Sequence, residues 1–265
     1  MLLHRIITGT VLIILALLVL FVFPSFVYLW VSSLVLLYGA WEWGHLMCLK
    51  SFRMKLGYLI LIFILGVLFE IQKSWVLSFI VIALMWWVWH FLLILAYPRN
   101  TRLWTAPWIK GLTGVFVLVP CWLSVNKLYA MSPWLMLILF LIIWGSDIAA
   151  YFTGRLWGRR KLLPNVSPGK TWAGFWGAFV TVIILAAICV DVVPQFRHHH
   201  LFIFILFILT MLFSVLGDLV ESMYKREAGL KDSGNIFPGH GGLLDRIDSL
   251  TSAAPLFFFG ITCLL

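Results

Sequence analysis

The sequence predicts an all-α integral membrane protein that crosses the bilayer about nine times, with its N-terminus inside. Hydrophobic residues make up 63% of the 265 positions and charged residues only 11%, and the mean hydropathy is +1.06. Apolar runs of the roughly 20 residues that cross a bilayer repeat from end to end. This composition excludes a soluble domain.

Nine apolar runs are candidate spans. They lie at approximately 6–24, 26–47, 57–72, 75–97, 109–126, 132–153, 173–191, 201–223 and 249–265. The first run could be a signal peptide, but no small-residue cleavage site follows it and a second apolar run begins directly after Pro24, so we expect a retained span. The four cysteines have no paired spacing, which indicates neither a zinc site nor a disulfide framework.

The basic residues predict the orientation. With the N-terminus inside, 16 of the 19 Lys and Arg residues fall on the cytoplasmic side, and only Lys73, Lys127 and Arg197 fall outside. Such a bias sets membrane topology. The net charge of +9 therefore reflects orientation in a membrane, and we expect no nucleic-acid partner.

We expect residues 1–265 to form a single membrane domain, because no repeat of fixed period is present. Residues 1–130 are spans joined by short loops. Residues 131–265 carry most of the polar groups, in two cytoplasmic loops at 154–171 and 224–248 that are rich in Gly, Pro and charge. This C-terminal half is where we expect function.

The second loop and its flanks hold six of the ten carboxylates and four basic side chains between 218 and 248. Ionisable groups at membrane depth are costly and are usually functional. One helix face is predicted to carry five polar residues at i, i+3, i+4, i+7 and i+8: Asp218, Glu221, Ser222, Lys225 and Arg226.

Asp245 and Asp248 share a face at the start of the last span, where the positive end of the helix dipole favours carboxylates or a bound anion. Together with Asp218 they form an oxygen-only ligand set, which suits Mg²⁺ and not zinc. The alternative is that the carboxylates only form structural ion pairs. Their basic partners would be Lys225, Arg226 and Arg246.

The first loop contains Ser167-Pro-Gly-Lys170-Thr171. A P-loop would need glycine at position 164, which is proline, and a preceding strand, which we do not expect. A lysine, two hydroxyls and glycine backbone can still hold a phosphate, and the alternative is a plain juxtamembrane loop.

Polar residues also occur inside apolar spans. Asp147 lies among small residues that allow close helix packing, and because a buried aspartate needs a partner we expect it to act at the site. Glu42 and His45, at i and i+3, are expected to pair with each other near a span end.

The run from Ser222 to Asp248, SMYKREAGLKDSGNIFPGHGGLLDRID, resembles the signature of phosphatidate cytidylyltransferases, also called CDP-diglyceride synthetases. Residues 145–154 and 167–171 resemble that family too. Two positions depart from its pattern: Tyr224 replaces an aliphatic residue or Phe, and Ala173 replaces an acidic or amide residue, so any polar contact from that side chain is lost.

The resemblance implies transfer of the CMP moiety of CTP to phosphatidic acid, giving CDP-diacylglycerol and pyrophosphate, with Mg²⁺ as cofactor. It leaves open a second cation and a homodimer. It also implies a bacterial-type inner membrane, with the active site facing the cytoplasm.

The same resemblance implies the site residues. The catalytic set is Asp218, Lys225, Arg226, His240, Asp245 and Asp248, with Asp218, Asp245 and Asp248 also as metal ligands. The substrate-binding set is Asp147, Ser167, Lys170, Lys231 and Arg246. The basic residues of the second loop would neutralise phosphates, Ser167 and Lys170 would close over phosphate, and His240 would orient a group or shuttle a proton.

Two alternatives remain at this stage. A secondary transporter also uses intramembrane carboxylates, but it predicts repeats and charges near the midplane, whereas these charges cluster at one face. A membrane phosphotransferase acting on another lipid, such as a polyprenol kinase, is the second alternative.

Overall fold

Helices dominate this fold because backbone groups in hydrocarbon must hydrogen-bond within their own segment. The computed structural model describes residues 2–99, 101–236 and 241–264, with side chains from Gly9 onward. Nine α-helices lie in these ranges: α1 (Leu2–Phe21), α2 (Ser25–Leu46), α3 (Phe52–Ile71), α4 (Lys73–Ala96), α5 (Pro107–Met131), α6 (Pro133–Trp157), α7 (Trp172–Val192), α8 (His200–Glu227) and α9 (Leu244–Leu264).

Eight of these helices, α2 to α9, are long and apolar enough to cross a membrane. In the described part of α1, the apolar segment Gly9–Phe21 is shorter. The all-α polytopic fold class is therefore confirmed. The count of nine spans and the inward N-terminus stay predictions.

Three helices extend further into the polar segments than the apolar runs suggested. α6 continues to Trp157, α8 continues to Glu227, and α9 begins at Leu244. Hydropathy marks where a helix meets charge, but the backbone hydrogen bonds continue beyond that point. Several residues assigned to loops 154–171 and 224–248 therefore lie on helix ends, where their directions are fixed.

The first loop contains a β-hairpin that the sequence did not predict. Strand β1 (Lys161–Leu163) pairs antiparallel with β2 (Ser167–Thr171), with Lys161 opposite Thr171. The expectation that no strand precedes Ser167 was wrong. The segment 167–171 is nevertheless itself a strand and not a phosphate-binding loop, so the P-loop interpretation still fails.

Helix α5 lies at the centre of the packing, with most of its residues buried, whereas α3 is largely exposed. α6 packs mainly on α7, and α8 mainly on α9, while α5 contacts α2, α6 and α9. At the α6–α7 crossing, a side chain on Gly174 or Gly177 would collide with Ala150 or Thr153. The hairpin packs on α7, and β2 also contacts α8.

Candidate active site

The end of α8 and the start of α9 place Lys225 between two acidic side chains. Its Nζ lies 2.5 Å from Asp245 Oδ1 and 3.4 Å from Glu221 Oε1. All three side chains are nearly buried, with exposed fractions of 11%, 7% and 3%. Burying a charge is costly unless it is paired, so this triad explains how the residues tolerate the interior.

The second carboxylate oxygen of Asp245 is also fully engaged. Oδ2 accepts hydrogen bonds from the backbone N–H of Ser233 at 2.9 Å and of Gly242 at 2.8 Å, and Ser233 Oγ lies 3.0 Å away. Gly241, at φ +81°, adopts the left-handed conformation that glycine tolerates. Asp245 therefore organises the second loop around itself.

The two polar segments meet in an ion pair between the hairpin and α8. Lys170 Nζ lies 2.6 Å from Asp218 Oδ2, and Ser222 Oγ donates to Asp218 Oδ1 at 3.3 Å. Burial alone would lower the pKa of Lys170, but attraction to Asp218 and their hydrogen bond outweigh it and raise that pKa above its ordinary value. Lys170 is thus held as a cation.

Two further carboxylates lie beside this pair. Asp248 interacts electrostatically with both Asp218 and Glu221, and its Oδ1 accepts from Ser249 N at 2.7 Å. Glu221, whose Oε1 lies 3.4 Å from Lys225 Nζ, thus contacts both Lys225 and Asp248. Glu221 was not assigned to the site from sequence, although its place on the predicted polar face pointed to it.

The carboxylate oxygens of this cluster are the kind of ligand that a hard divalent cation prefers, but they do not form a complete coordination site. Among the described residues, no group of three or more His, Cys, Asp or Glu is arranged to hold a metal ion. Mg²⁺ commonly binds through one or two carboxylates plus substrate phosphates, and Asp218 and Asp248, which lie close enough to interact electrostatically, fit that chemistry. Asp245, the third predicted ligand, already has both oxygens in internal bonds.

A cavity of about 600 Å³ reaches this cluster from among α1, α2, α5, α6 and α9. Its walls are mainly aliphatic and aromatic side chains such as Leu12, Val35 and Trp122. Four charged side chains form its polar end: Asp147, Asp245, Arg246 and Asp248. This volume lies in the usual range of small-molecule sites, about 300–1,000 Å³.

A second cavity, of about 470 Å³, reaches the cluster from the hairpin side, between α6, α7 and α8. Its charged lining has cations from the hairpin, Lys161 and Lys170, and one from the end of α6, Arg155. Two aspartates, Asp147 and Asp218, also line it. Asp147 lines both cavities, so the predicted role of this residue at the site has a geometric basis.

Several predicted site residues lie away from the cluster. Arg226 and Lys231 are exposed and Ser167 is half-buried in β2, and none of the three lines either cavity. Their assigned roles stay predictions. His240 lies outside the described residues.

The expected pairing of Glu42 with His45 was wrong, since both side chains contact the second loop instead. Glu42 accepts hydrogen bonds from the backbone N–H groups of Leu243 and Leu244. His45 Nδ1 lies 3.1 Å from the carbonyl oxygen of Ser233. These partners are about 190 to 200 positions away along the chain, so helical spacing could not reveal them.

Tyr224, the departure from the resembled pattern, is buried next to Lys225. Its hydroxyl lies 3.1 Å from His90 Nε2 and 3.0 Å from Thr113 Oγ1. Its ring packs on Trp104, with centroids 5.0 Å apart. The phenol is thus fully partnered, and it anchors α8 to α4 and α5 one residue before Lys225.

Comparison with known proteins gives one family model and several similar proteins. The model of a family described as the cytidylyltransferase family matches residues 3–264. A phosphatidate cytidylyltransferase of Pseudomonas aeruginosa is 37% identical over 260 residues, covering 97% of this chain and 96% of the relative. One of Haemophilus influenzae is 37% identical over 286 residues, covering 98% of each chain. One of Bacillus subtilis is 45% identical over 118 residues.

Proposed function

This chain belongs to the cytidylyltransferase family, and from that premise we propose that it transfers the CMP moiety of CTP to phosphatidic acid. The products are CDP-diacylglycerol, a precursor in phospholipid biosynthesis, and pyrophosphate. Two relatives of nearly the same length carry the name phosphatidate cytidylyltransferase. The comparisons give no support to the transporter alternative.

One observation carries the mechanism: an apolar cavity and a cation-lined cavity meet at Asp147, beside the carboxylate–lysine cluster. A diacyl chain needs apolar walls, and a triphosphate needs cations. We place the lipid in the larger cavity, with its phosphate at the polar end near Arg246, and the nucleotide in the hairpin cavity. The two phosphates would then meet at the cluster.

In the reaction, a phosphomonoester oxygen of the lipid attacks the α-phosphorus of CTP. A new P–O bond forms, the bond between the α-phosphorus and the bridging oxygen breaks, and pyrophosphate leaves with the electron pair. Phosphoryl and nucleotidyl transfers of this kind depend mainly on positioning and charge neutralisation. The chain must therefore hold both phosphates in line and offset their charge.

Lys170 suits the task of neutralisation, because it stays protonated and lines the nucleotide cavity. Binding of a triphosphate would draw its ammonium away from Asp218 and free that carboxylate. Asp218 and Asp248 would hold Mg²⁺, which when bound supplies further neutralisation of the phosphates. Lys225 keeps Asp245 in place, and Arg226, Lys231, Ser167 and His240 are proposed as outer phosphate contacts.

The protein is a multi-pass membrane protein, and we place it in the bacterial inner membrane with the site facing the cytoplasm. The support is the uneven distribution of the basic residues together with bacterial relatives. CTP is cytoplasmic and phosphatidic acid stays in the bilayer, so both substrates reach a site at that interface.

The test uses purified protein in detergent with phosphatidic acid, Mg²⁺ and CTP labelled on either the α- or the γ-phosphate. We expect the α-label, and not the γ-label, to enter the organic phase as a CDP-lipid. Asp218→Asn should abolish this transfer, while Asp191→Asn, at an exposed position at the end of α7, serves as the control and should not.

Each other outcome points to a different conclusion. Transfer of the γ-label would indicate a lipid kinase. No transfer of either label to any lipid phosphate would overturn the proposed reaction. Full activity of Asp218→Asn would keep the reaction but remove Asp218 from the metal site.

A further inference from the structure

Glu42 is a fully buried carboxylate in the half of the chain that carries few charges. It lies on α2 with no exposed surface, and its oxygens face the second loop and the start of α9. Oε1 accepts from Leu243 N at 3.0 Å, and Oε2 accepts from Leu244 N at 2.7 Å. These contacts join positions 201 and 202 residues apart.

The two amides belong to the N-terminus of α9, the helix that presents Asp245 and Asp248. The first N–H groups of a helix have no partner within the helix, and a negative charge at this end is favoured by the helix dipole. A residue of α9's own sequence commonly supplies such a cap. Here Glu42 supplies it from another helix, so α2 determines where α9 begins.

Glu42 is also linked to Asp245 through one hydroxyl. Ser233 Oγ lies 3.1 Å from Glu42 Oε2 and 3.0 Å from Asp245 Oδ2. A serine hydroxyl has one proton and so donates to one of them at a time. Side chains on Gly234 and Gly242 would collide with the Glu42 carboxylate, so the loop backbone closes tightly around it.

We propose that Glu42 is a positioning residue for the transfer reaction: its carboxylate fixes the start of α9 and the Ser233 segment, and thereby holds Asp245 and Asp248 in their working geometry. This role rests on the proposed function. It assigns to α2 a part in the chemistry and not only in the membrane scaffold.

The test variant is Glu42→Gln, which keeps the side-chain size but turns an amide N–H₂ towards a backbone N–H. The control is Glu70→Gln, which removes a carboxylate paired with Lys127 at 2.6 Å. Trp43, next to Glu42, donates a hydrogen bond to the carbonyl of Lys110, so Glu42 lies near Lys110 of α5. Lys127 lies about 25 Å from Lys110 along the same helix, at 1.5 Å per residue. The control therefore perturbs a partly exposed ion pair remote from the site.

We expect Glu42→Gln to lower kcat by about 10²-fold, as small misplacements of reacting groups do, and to leave KM for both substrates within about threefold. Thermal unfolding curves give the folded fraction of each variant, and each activity is divided by that fraction. Combined with Ser233→Ala, the loss should be smaller than the product of the two single losses, because both act through Asp245. Glu70→Gln should keep wild-type kinetics.

A second measurement is independent of activity. Amide hydrogen exchange over residues 241–248 should be faster in Glu42→Gln than in wild type and unchanged in Glu70→Gln, because one cap of α9 is lost. Unchanged exchange would overturn the capping geometry. Wild-type kcat in Glu42→Gln, or a loss that multiplies fully with that of Ser233→Ala, would overturn the positioning role. An inactive wild type would instead overturn the proposed function.

Discussion

Replacing Lys170 with Met tests whether the Lys170–Asp218 ion pair acts in the proposed reaction, because the chain contains a matched ion pair elsewhere. Lys170–Asp218 and Lys127–Glu70 both have N–O distances of 2.6 Å. Their side-chain exposures are also alike, at 23% and 31% for the first pair and 22% and 39% for the second. Lys127→Met is therefore the natural control.

The two substitutions should cost similar stability. Exposed pairs contribute about 0–1 kcal/mol, and loss of one partner from a buried pair costs about 3–5 kcal/mol. For these partly exposed pairs we expect about 1–2 kcal/mol each, after allowing for solvent screening. This corresponds to a decrease in Tm of several degrees for a chain of this size, at about 2–4 °C per kcal/mol.

Their effects on activity should differ. Lys170 lines the proposed nucleotide cavity, and loss of one preorganised charge contact to a reacting phosphate lowers kcat by about 10²-fold or more. Lys127→Met should stay within about threefold of wild type. The assay is transfer of α-labelled CTP into lipid, corrected for the folded fraction. Equal activity losses in the two variants would refute the assignment of Lys170.

The pH dependence gives a further check on the same residue. The pKa of Lys170 is raised in the folded protein, so its pairing with Asp218 is present below the ordinary lysine pKa of about 10.5 and is lost only as the pH rises through the raised value. The ratio of wild-type to Lys170→Met activity should therefore be constant between about pH 7 and 9. A ratio that decreases between about pH 7 and 9 would show that Lys170 loses its proton in that range.

Two other predictions follow from the cluster. Tyr224→Phe leaves His90 and Thr113 without their shared partner and should lower the free energy of unfolding by about 1–3 kcal/mol, while activity per folded molecule is kept; a large loss of kcat at unchanged Tm would contradict this. Asp248→Asn should raise the Mg²⁺ concentration needed for half-maximal activity at least tenfold, the usual scale for weakened metal sites. The measurement is a Mg²⁺ titration of activity, with Asp191→Asn as the control variant. An unchanged midpoint would remove Asp248 from the metal site.

The fold class and the polar segments could be predicted because both are local properties of the chain. Hydrophobic runs predict spans wherever they occur, and the run from Ser222 to Asp248 carries its resemblance within about 27 consecutive positions. The helix ends were less predictable, since hydrogen bonding carries α6, α8 and α9 beyond their apolar parts. The hairpin was missed because its strands are too short for a periodic pattern.

What the sequence determined by itself is therefore the membrane architecture, the family and the group of charged residues from which a site could be built. The tertiary structure decided which of them meet: Lys170 with Asp218, Lys225 with Asp245, and Glu42 with the start of α9. These partners lie 20 to 202 residues apart. Their contacts depend on how the helices pack, and a buried charge takes whichever partner that packing brings within reach.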